Sequence, residues 1–262
     1  MPHTLIPFID LRGKTPVDLL RAYPDRGRDL VRASRRSWGI WSEAASRVAL
    51  PLADRLSARW LMRHNNPYLH EIETCAELLS LPGGVALNVC FEWGCTSGVW
   101  QGEEAVTLLR VLDWPFPGLG SHTVVALMQG RAGSFYNITW PGMVGVFNAM
   151  APGRFSAAIN QAPMRRHGLG FAGDWLKNRW LINGEKGLPP AHLLRHVCET
   201  AKTYAEAKAL LTKTPLALPA IFTLAGLKAG EGCIIERLED RAEVIELAAK
   251  PQVVSANHFT GS

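Results

Sequence analysis

The chain has 262 residues, of which 47% are hydrophobic and 19% charged, enough for one large domain or two small ones around a substantial core. That composition excludes a disordered segment, and no apolar run reaches the length needed to span a bilayer. The net charge of +5 favours anionic surfaces, but the basic residues of 21–36 and 55–63 are interspersed with acids as on a solvated helix face, and without a DNA- or RNA-reading motif no nucleic-acid partner is expected.

In chain order, residues 1–25 read as extended or irregular, broken by Pro2, Pro7, Gly13, Pro16 and Pro24. From Asp25 to Met62 the spacing of Leu30, Val31, Trp38, Trp41, Ala45, Val48 and Leu52 predicts helix, which Pro51 should end or kink. A further helix is expected over 68–81, closed by Pro82-Gly83-Gly84. The texture then changes to short β-branched and aromatic runs divided by glycine turns, predicting antiparallel strands over 85–91, 97–100, 106–112, 123–127, 134–139 and 154–159. Helices are expected over 174–181, 190–199 and 204–212, the last with Thr203 as its start signal. Strands follow over 219–225, 231–237 and 242–248. Helices, strands, helices, strands in that order predict an α+β fold.

Five cysteines at irregular spacing (Cys75, Cys90, Cys95, Cys198 and Cys233) read as reduced thiols rather than a disulfide framework. The N-terminus lacks a basic start followed by an apolar core, so no signal peptide is expected and the default compartment is cytoplasmic. His192 and His196 stand four apart on a predicted helix without a third ligand, so an exposed helix face is expected there and no metal. Trp38, Ile40, Trp41, Trp60, Leu61 and Met62 sit in a basic helical region that could dock on a lipid surface. The rule that apolar helix stripes face the core assigns them to packing instead.

The stretch richest in chemistry is NVCFEWGCTSGVWQG (88–102) followed by LLRVLDWPF (108–116). Cys95 could be a buried small hydrophobe, as free cysteines commonly are. If the Gly94–Cys95 bond is cut, however, Cys95 acquires an α-amino group that can act as general base for its own sulfur. A glycine in front suits a strained scissile bond. Arg110 and Asp113 return on the following strand, where their spacing of three puts them on opposite faces unless the segment bends. A surface ion pair is the plain alternative for these two, yet both are embedded in apolar neighbours, where charges need a partner or a function.

Several segments, in order, resemble the acid ceramidase and N-acylethanolamine acid amidase family of cysteine N-terminal-nucleophile hydrolases, which is related to the choloylglycine hydrolases (bile-salt hydrolases and penicillin V acylases). DLVRAS (29–34) and EIETCAELLSLP (71–82) are similar to its small subunit, and FEWGCTSGV (91–99) to its cleavage site. LLRVLDWPF resembles the GRNLDYPF-like arm, TWPGMVGVFNAMAPGRFSAAINQAP (139–163) the strand ending in LNER, LTKTPLALPAIFTLAG (211–226) the LAKTPL unit, and SANHF (255–259) the TNY segment. The sequence departs from the family where Gln161-Ala162 replace an acid and its neighbour, and the family's C-terminal basic stretch, secretion signal and disulfides are not expected here.

The resemblance implies a four-layer αββα sandwich, antiparallel sheets between helices, made as a precursor that cleaves itself at Gly94–Cys95. Residues 1–94 would be a mainly helical α-subunit and 95–262 the β-subunit carrying the catalytic core, the two staying together as a non-covalent heterodimer. Cys95 would be the nucleophile, Asp113 the holder of its new amino group, Arg110 the group orienting Asp113 and the thiolate, and Asn257 an oxyanion donor, a kind of group whose loss costs ~3–4 kcal/mol. Asn160 would contact the amide or its leaving group, although a turn role at a strand end fits it equally well. Asn257 would otherwise pass for a frayed-tail residue. Trp114, Trp140, Met143 and Phe147 would suit an acyl pocket. The expected reaction is cofactor-free hydrolysis of a fatty N-acyl amide, ceramide-like or N-acylethanolamine-like. Bile-salt hydrolase, penicillin acylase or acyltransferase activity on the same scaffold is the alternative within enzymes, and a non-catalytic lipid-binding module the alternative outside them.

Overall fold

The structure is a computed structural model that describes residues 5–37, 43–90, 94–103, 105–113, 118–248 and 250–260. Its elements begin with β1 (Phe8–Asp10), α1 (Pro16–Ala22), α2 (Pro24–Ser37), α3 (Glu43–Arg63), α4 (Leu69–Leu79) and the single turn α5 (Gly84–Leu87). Strands β2 (Gly94–Gln101), β3 (Val106–Asp113), β4 (Val124–Gly130), β5 (Gly133–Thr139), β6 (Asn148–Ala151) and β7 (Phe155–Gln161) follow. Then come α6 (Gly170–Ile182), α7 (Pro190–Thr200) and α8 (Tyr204–Lys213). The last strands are β8 (Ala220–Ala225), β9 (Gly232–Arg237), β10 (Ala242–Glu246) and β11 (Gln252–Ser255). This is the expected α+β class with antiparallel sheets, save that β1 runs parallel to β4.

The chain divides into two compact units, Met1–Phe91 with Trp114–Met150, and Glu92–Asp113 with Ala151–Ser262. These are not the segments that a cut before Cys95 would make, because Trp114–Met150 groups with the N-terminal helices.

In the first unit, α1 to α5 accompany strands β1, β4, β5 and β6. Two expectations fail here, and a third fails in part. Residues 16–22 are helix rather than irregular chain. Pro16 occupies the first turn, where its missing N–H costs nothing, and Asp18 Oδ2 accepts the Thr15 backbone N–H at 3.0 Å. Helix α3 runs through Pro51, so of the end or kink expected there the end does not occur. The apolar run expected as a strand over 85–91 is not one over its described residues, 85–90: Gly84–Leu87 is helical, because the Asp54 carboxylate accepts the N–H groups of Gly83 at 2.7 Å and Ala86 at 2.9 Å. Burial pushes the Asp54 carboxyl above its usual range, opposed by these backbone donors.

The second unit holds two antiparallel sheets, β11-β2-β3 and β7-β8-β9-β10, packed face to face, with α7 and α8 on the far side of the second. Strands β8 and β9 are buried at every position, as expected of strands covered on both faces. Val99, Val106, Ile221, Ile234, Leu247 and Val253 fill the space between the sheets. His192, expected on an exposed helix face, is wholly buried on α7. Burial, and then the nearby Arg195 charge, push its pKa down to about 3.

Candidate active site

Cys95 lies on β2, paired with Leu112 of β3, and Ser97 is paired with Arg110. Residues directly opposite share a face, so Cys95, Ser97, Arg110 and Leu112 all point inward. Arg110 reaches diagonally to Cys95, its Nη2 donating to Sγ at 3.2 Å and to the Ile159 carbonyl of β7 at 3.0 Å. Cys95 is buried. Burial pushes its thiol above the ordinary value, while the Arg110 guanidinium and the Gln161 backbone amide pull it back. Burial also lowers the Arg110 pKa, which the adjacent sulfur opposes.

The backbone N–H of Cys95 donates to Asn257 Oδ1 at 2.6 Å, and Asn257 Nδ2 donates to the Gln161 carbonyl at 2.8 Å. An N–H can only donate and a carbonyl can only accept, so this pair of partners fixes which way the Asn257 amide points. Asn257 is therefore held next to Cys95, not frayed. The Nδ2 that the family resemblance assigns to an oxyanion engages Gln161 here, and the Oδ1 holds the nitrogen that cleavage would turn into an α-amine.

Strand β3 stays extended through Asp113, so Arg110 and Asp113 fall on opposite faces. Asp113 pairs with Gly94 and is exposed, and among the described residues its carboxylate has no hydrogen-bond partner. It stands beside the Gly94–Cys95 bond, close enough that its charge opposes ionisation of the Cys95 thiol. Gly94 does not adopt a left-handed conformation, so a positive φ does not account for a glycine there. Close approach explains it instead: a Cβ at this position would sit 3.1 Å from the Asp113 carbonyl oxygen and 3.4 Å from its Cβ.

Asn160 is 0% exposed. Its Nδ2 donates to Ser97 Oγ at 2.8 Å and faces the carbonyls of Ser255 at 3.3 Å and Ala256 at 3.2 Å. Ser97 Oγ in turn lies 2.6 Å from Thr223 Oγ1 on β8. Three consecutive residues of β7 thus each hold one part of the site. Ile159 takes Arg110, Asn160 takes β2 and the C-terminal segment, and Gln161 takes Asn257 and faces the sulfur. The reading of residue types missed Ser97 and Thr223, because isolated hydroxyls on apolar strands carry no spacing signal.

Trp140, Met143 and Phe147, expected to line an acyl pocket, are buried in the first unit. The Trp140 and Phe147 rings meet edge to face with centroids 5.8 Å apart, and Trp140 Nε1 donates to the Leu119 carbonyl at 3.2 Å. Trp114 lies outside the described residues, as do Trp38, Ile40 and Trp41.

No protein-family model matches the chain. It is 28% identical over 223 residues to the acid ceramidase of Heterocephalus glaber, covering 77% of this chain and 55% of that protein. It is 35% identical over 201 residues to the acid ceramidase of Balaenoptera acutorostrata scammoni, covering 69% of this chain and 49% of that one. The chain thus spans about half the length of the curated relatives it matches. Among solved structures it resembles the Caenorhabditis elegans ortholog of N-acylethanolamine-hydrolyzing acid amidase, with a TM-score of 0.54 and 25% identity over 63% of this chain and 71% of that one. With Cys95, Arg110 and Asn257 converging on one strand end and relatives of this kind on both comparisons, the chain belongs to the acid ceramidase and N-acylethanolamine acid amidase family.

Proposed function

We propose that this protein is a self-processing cysteine amidohydrolase that cleaves the amide bond of fatty N-acyl amides, ceramide-like or N-acylethanolamine-like. One observation carries the reading: the Cys95 backbone nitrogen is held by Asn257 while Arg110 touches the Cys95 sulfur. In the first step Cys95 Sγ attacks the Gly94 carbonyl carbon and the Gly94–Cys95 C–N bond breaks, moving the acyl group to sulfur. Water then hydrolyses the thioester, leaving Gly94 as a carboxylate and Cys95 with a free α-amine. Residues 1–94 and 95–262 become the two subunits.

In turnover the α-amine takes the thiol proton as Sγ attacks the substrate carbonyl, and returns it to the departing amine as the substrate C–N bond breaks. Water attacks the acyl thioester and releases the acid. Arg110 favours the thiolate, since a guanidinium beside sulfur stabilises its anion.

A lipid substrate fits the outer surfaces of two helices, each considered alone. On α3, Trp60 and Leu61 pack inward, while Val48, Leu52, Leu56 and Met62 are exposed among exposed Arg47, Arg55, Arg59 and Arg63. On α6, Phe171 is 79% and Trp180 72% exposed, with Leu176 also outward. Apolar side chains beside cations suit an anionic lipid surface. Phe171→Ser with Trp180→Ser should reduce cosedimentation with phosphatidylserine-containing vesicles.

The deciding experiment is intact mass after incubation between about pH 4.5 and 8, a range that spans carboxylate and histidine titration. Two fragments breaking before Cys95, absent from Cys95→Ala, are expected. A chain that stays whole at every pH overturns self-processing and points to a lipid-binding module on this fold.

A further inference from the structure

The polar bridge behind the nucleophile is the feature that neither the reaction nor the family resemblance explains. Between two sheets otherwise packed with Val99, Ile221, Ile234 and Val253, the side chains of Ser97, Asn160 and Thr223 are all buried. Apolar residues would fill this space without the cost of desolvating hydroxyl and amide groups. The three form a hydrogen-bonded chain. Asn160 Nδ2 can only donate, so Ser97 Oγ accepts from it, and Ser97 Oγ stands 2.6 Å from Thr223 Oγ1, where either hydroxyl can be the donor.

The second hydrogen of Asn160 Nδ2 faces the carbonyls of Ser255 and Ala256. The β11–β2 ladder ends at Ser255 opposite Ser97, so Asn160 takes over where the backbone pairing stops. Asn257 directly follows Ala256. On its other side, Glu236 Oε1 accepts the Thr260 backbone N–H at 2.6 Å, and Phe259 packs on the core.

We propose that Asn160, acting through Ser97 and Thr223, is a positioning residue that sets the distance between Asn257 and Cys95, rather than a group that touches substrate. The inference rests on the amidohydrolase reading, but its structural half can be tested without it. Displacing a reacting group by about 1 Å costs on the order of a hundredfold in rate.

The test compares Asn160→Leu, Thr223→Val and Thr223→Ser with wild type. The readouts are self-cleavage, hydrolysis of a lauroyl amide of a fluorogenic aminocoumarin, and backbone hydrogen exchange by mass spectrometry. Asn160→Leu and Thr223→Val should lower kcat by about tenfold to a hundredfold at unchanged KM. Thr223→Ser, which keeps the hydroxyl, should restore it. Ile235→Val, a core change remote from Cys95, should lose thermal stability without losing kcat. In Asn160→Leu, amides of 94–97 and 255–260 should exchange about tenfold faster, with those of β4 and β5 unchanged, as for a local opening.

Normal kcat in Thr223→Val and Asn160→Leu, or failure of Thr223→Ser to restore it, overturns the proposal. If wild type neither cleaves itself nor hydrolyses the amide, the amidohydrolase reading falls. The exchange data then decide the positioning claim alone, and unchanged exchange overturns it.

Discussion

Cys95 and Asn257 stand 162 positions apart in the chain, yet the backbone N–H of the first donates to the side-chain oxygen of the second at 2.6 Å. That oxygen is in place before cleavage, on the nitrogen that cleavage would free. A new α-amine would therefore be captured where it forms, its lone pair able to turn toward the sulfur on the same residue.

Asn257 should accordingly matter for maturation as well as turnover. Asn257→Leu should slow precursor conversion about 10²–10³-fold, the range for losing one preorganised polar contact to a reacting group. Asn257→Asp should be no better, since a carboxylate oxygen would then face the Gln161 carbonyl. Densitometry of precursor and fragments over time measures both.

Replacing Arg110 should move a pH profile in a stated direction. Burial holds the Cys95 thiol high and Arg110 opposes it, so Arg110→Met removes an influence that lowers the pKa. The thiolate then forms only at higher pH, and the rising limb of kcat/KM should shift upward. Arg110→Lys should recover part of the shift, because an ammonium supplies the charge but not the geometry that reaches both Sγ and the Ile159 carbonyl.

At Gly94 the side chain itself is the variable. A Cβ would lie 3.1 Å from the Asp113 carbonyl oxygen, so Gly94→Ala is tight and Gly94→Val tighter. Conversion should slow by about tenfold in the alanine variant and further in the valine variant, as misplacement of a scissile carbonyl by tenths of an ångström predicts. Timed intact mass gives the rates. Equal rates in all three proteins would refute the close-approach account.

His192 should make stability fall on acidification. Its folded pKa is pushed down to about 3 from an ordinary value near 6.5, so between these values the unfolded chain binds a proton that the folded chain refuses. Its contribution is fully present above the unfolded value and is lost as pH falls toward about 3, by about 1.4 kcal/mol per pH unit at most. Urea titrations of wild type and His192→Leu from neutral pH downward should diverge across that window, the variant showing the shallower loss.

Much of the fold was legible. The helix with Thr203 at its start, the hairpin of β2 and β3, and the buried strands β8 and β9 all follow from patterns spanning a few residues. Helix α1 is signalled locally too, by Thr15-Pro16 and Asp18, but the prolines and glycine around it signal irregular chain equally strongly. The apolar run at 85–91 was ambiguous by periodicity alone, and the carboxylate that makes its start helical comes from Asp54, about thirty positions earlier.

By itself the sequence determined the α+β class, the Cys95 segment with Arg110 and Asp113 on the strand after it, and, through several motifs in order, the family. Only the tertiary structure decided that Arg110 rather than Asp113 shares the face of Cys95, that Asn257 grips the Cys95 nitrogen, and that Asn160 is interior. It also decided that His192 is buried rather than solvated. The physical reason is reach. Propensity, capping and alternation act over a handful of residues, whereas these relationships join positions 96 and 162 apart through strand register, where a slip of one residue would turn every side chain to the opposite face.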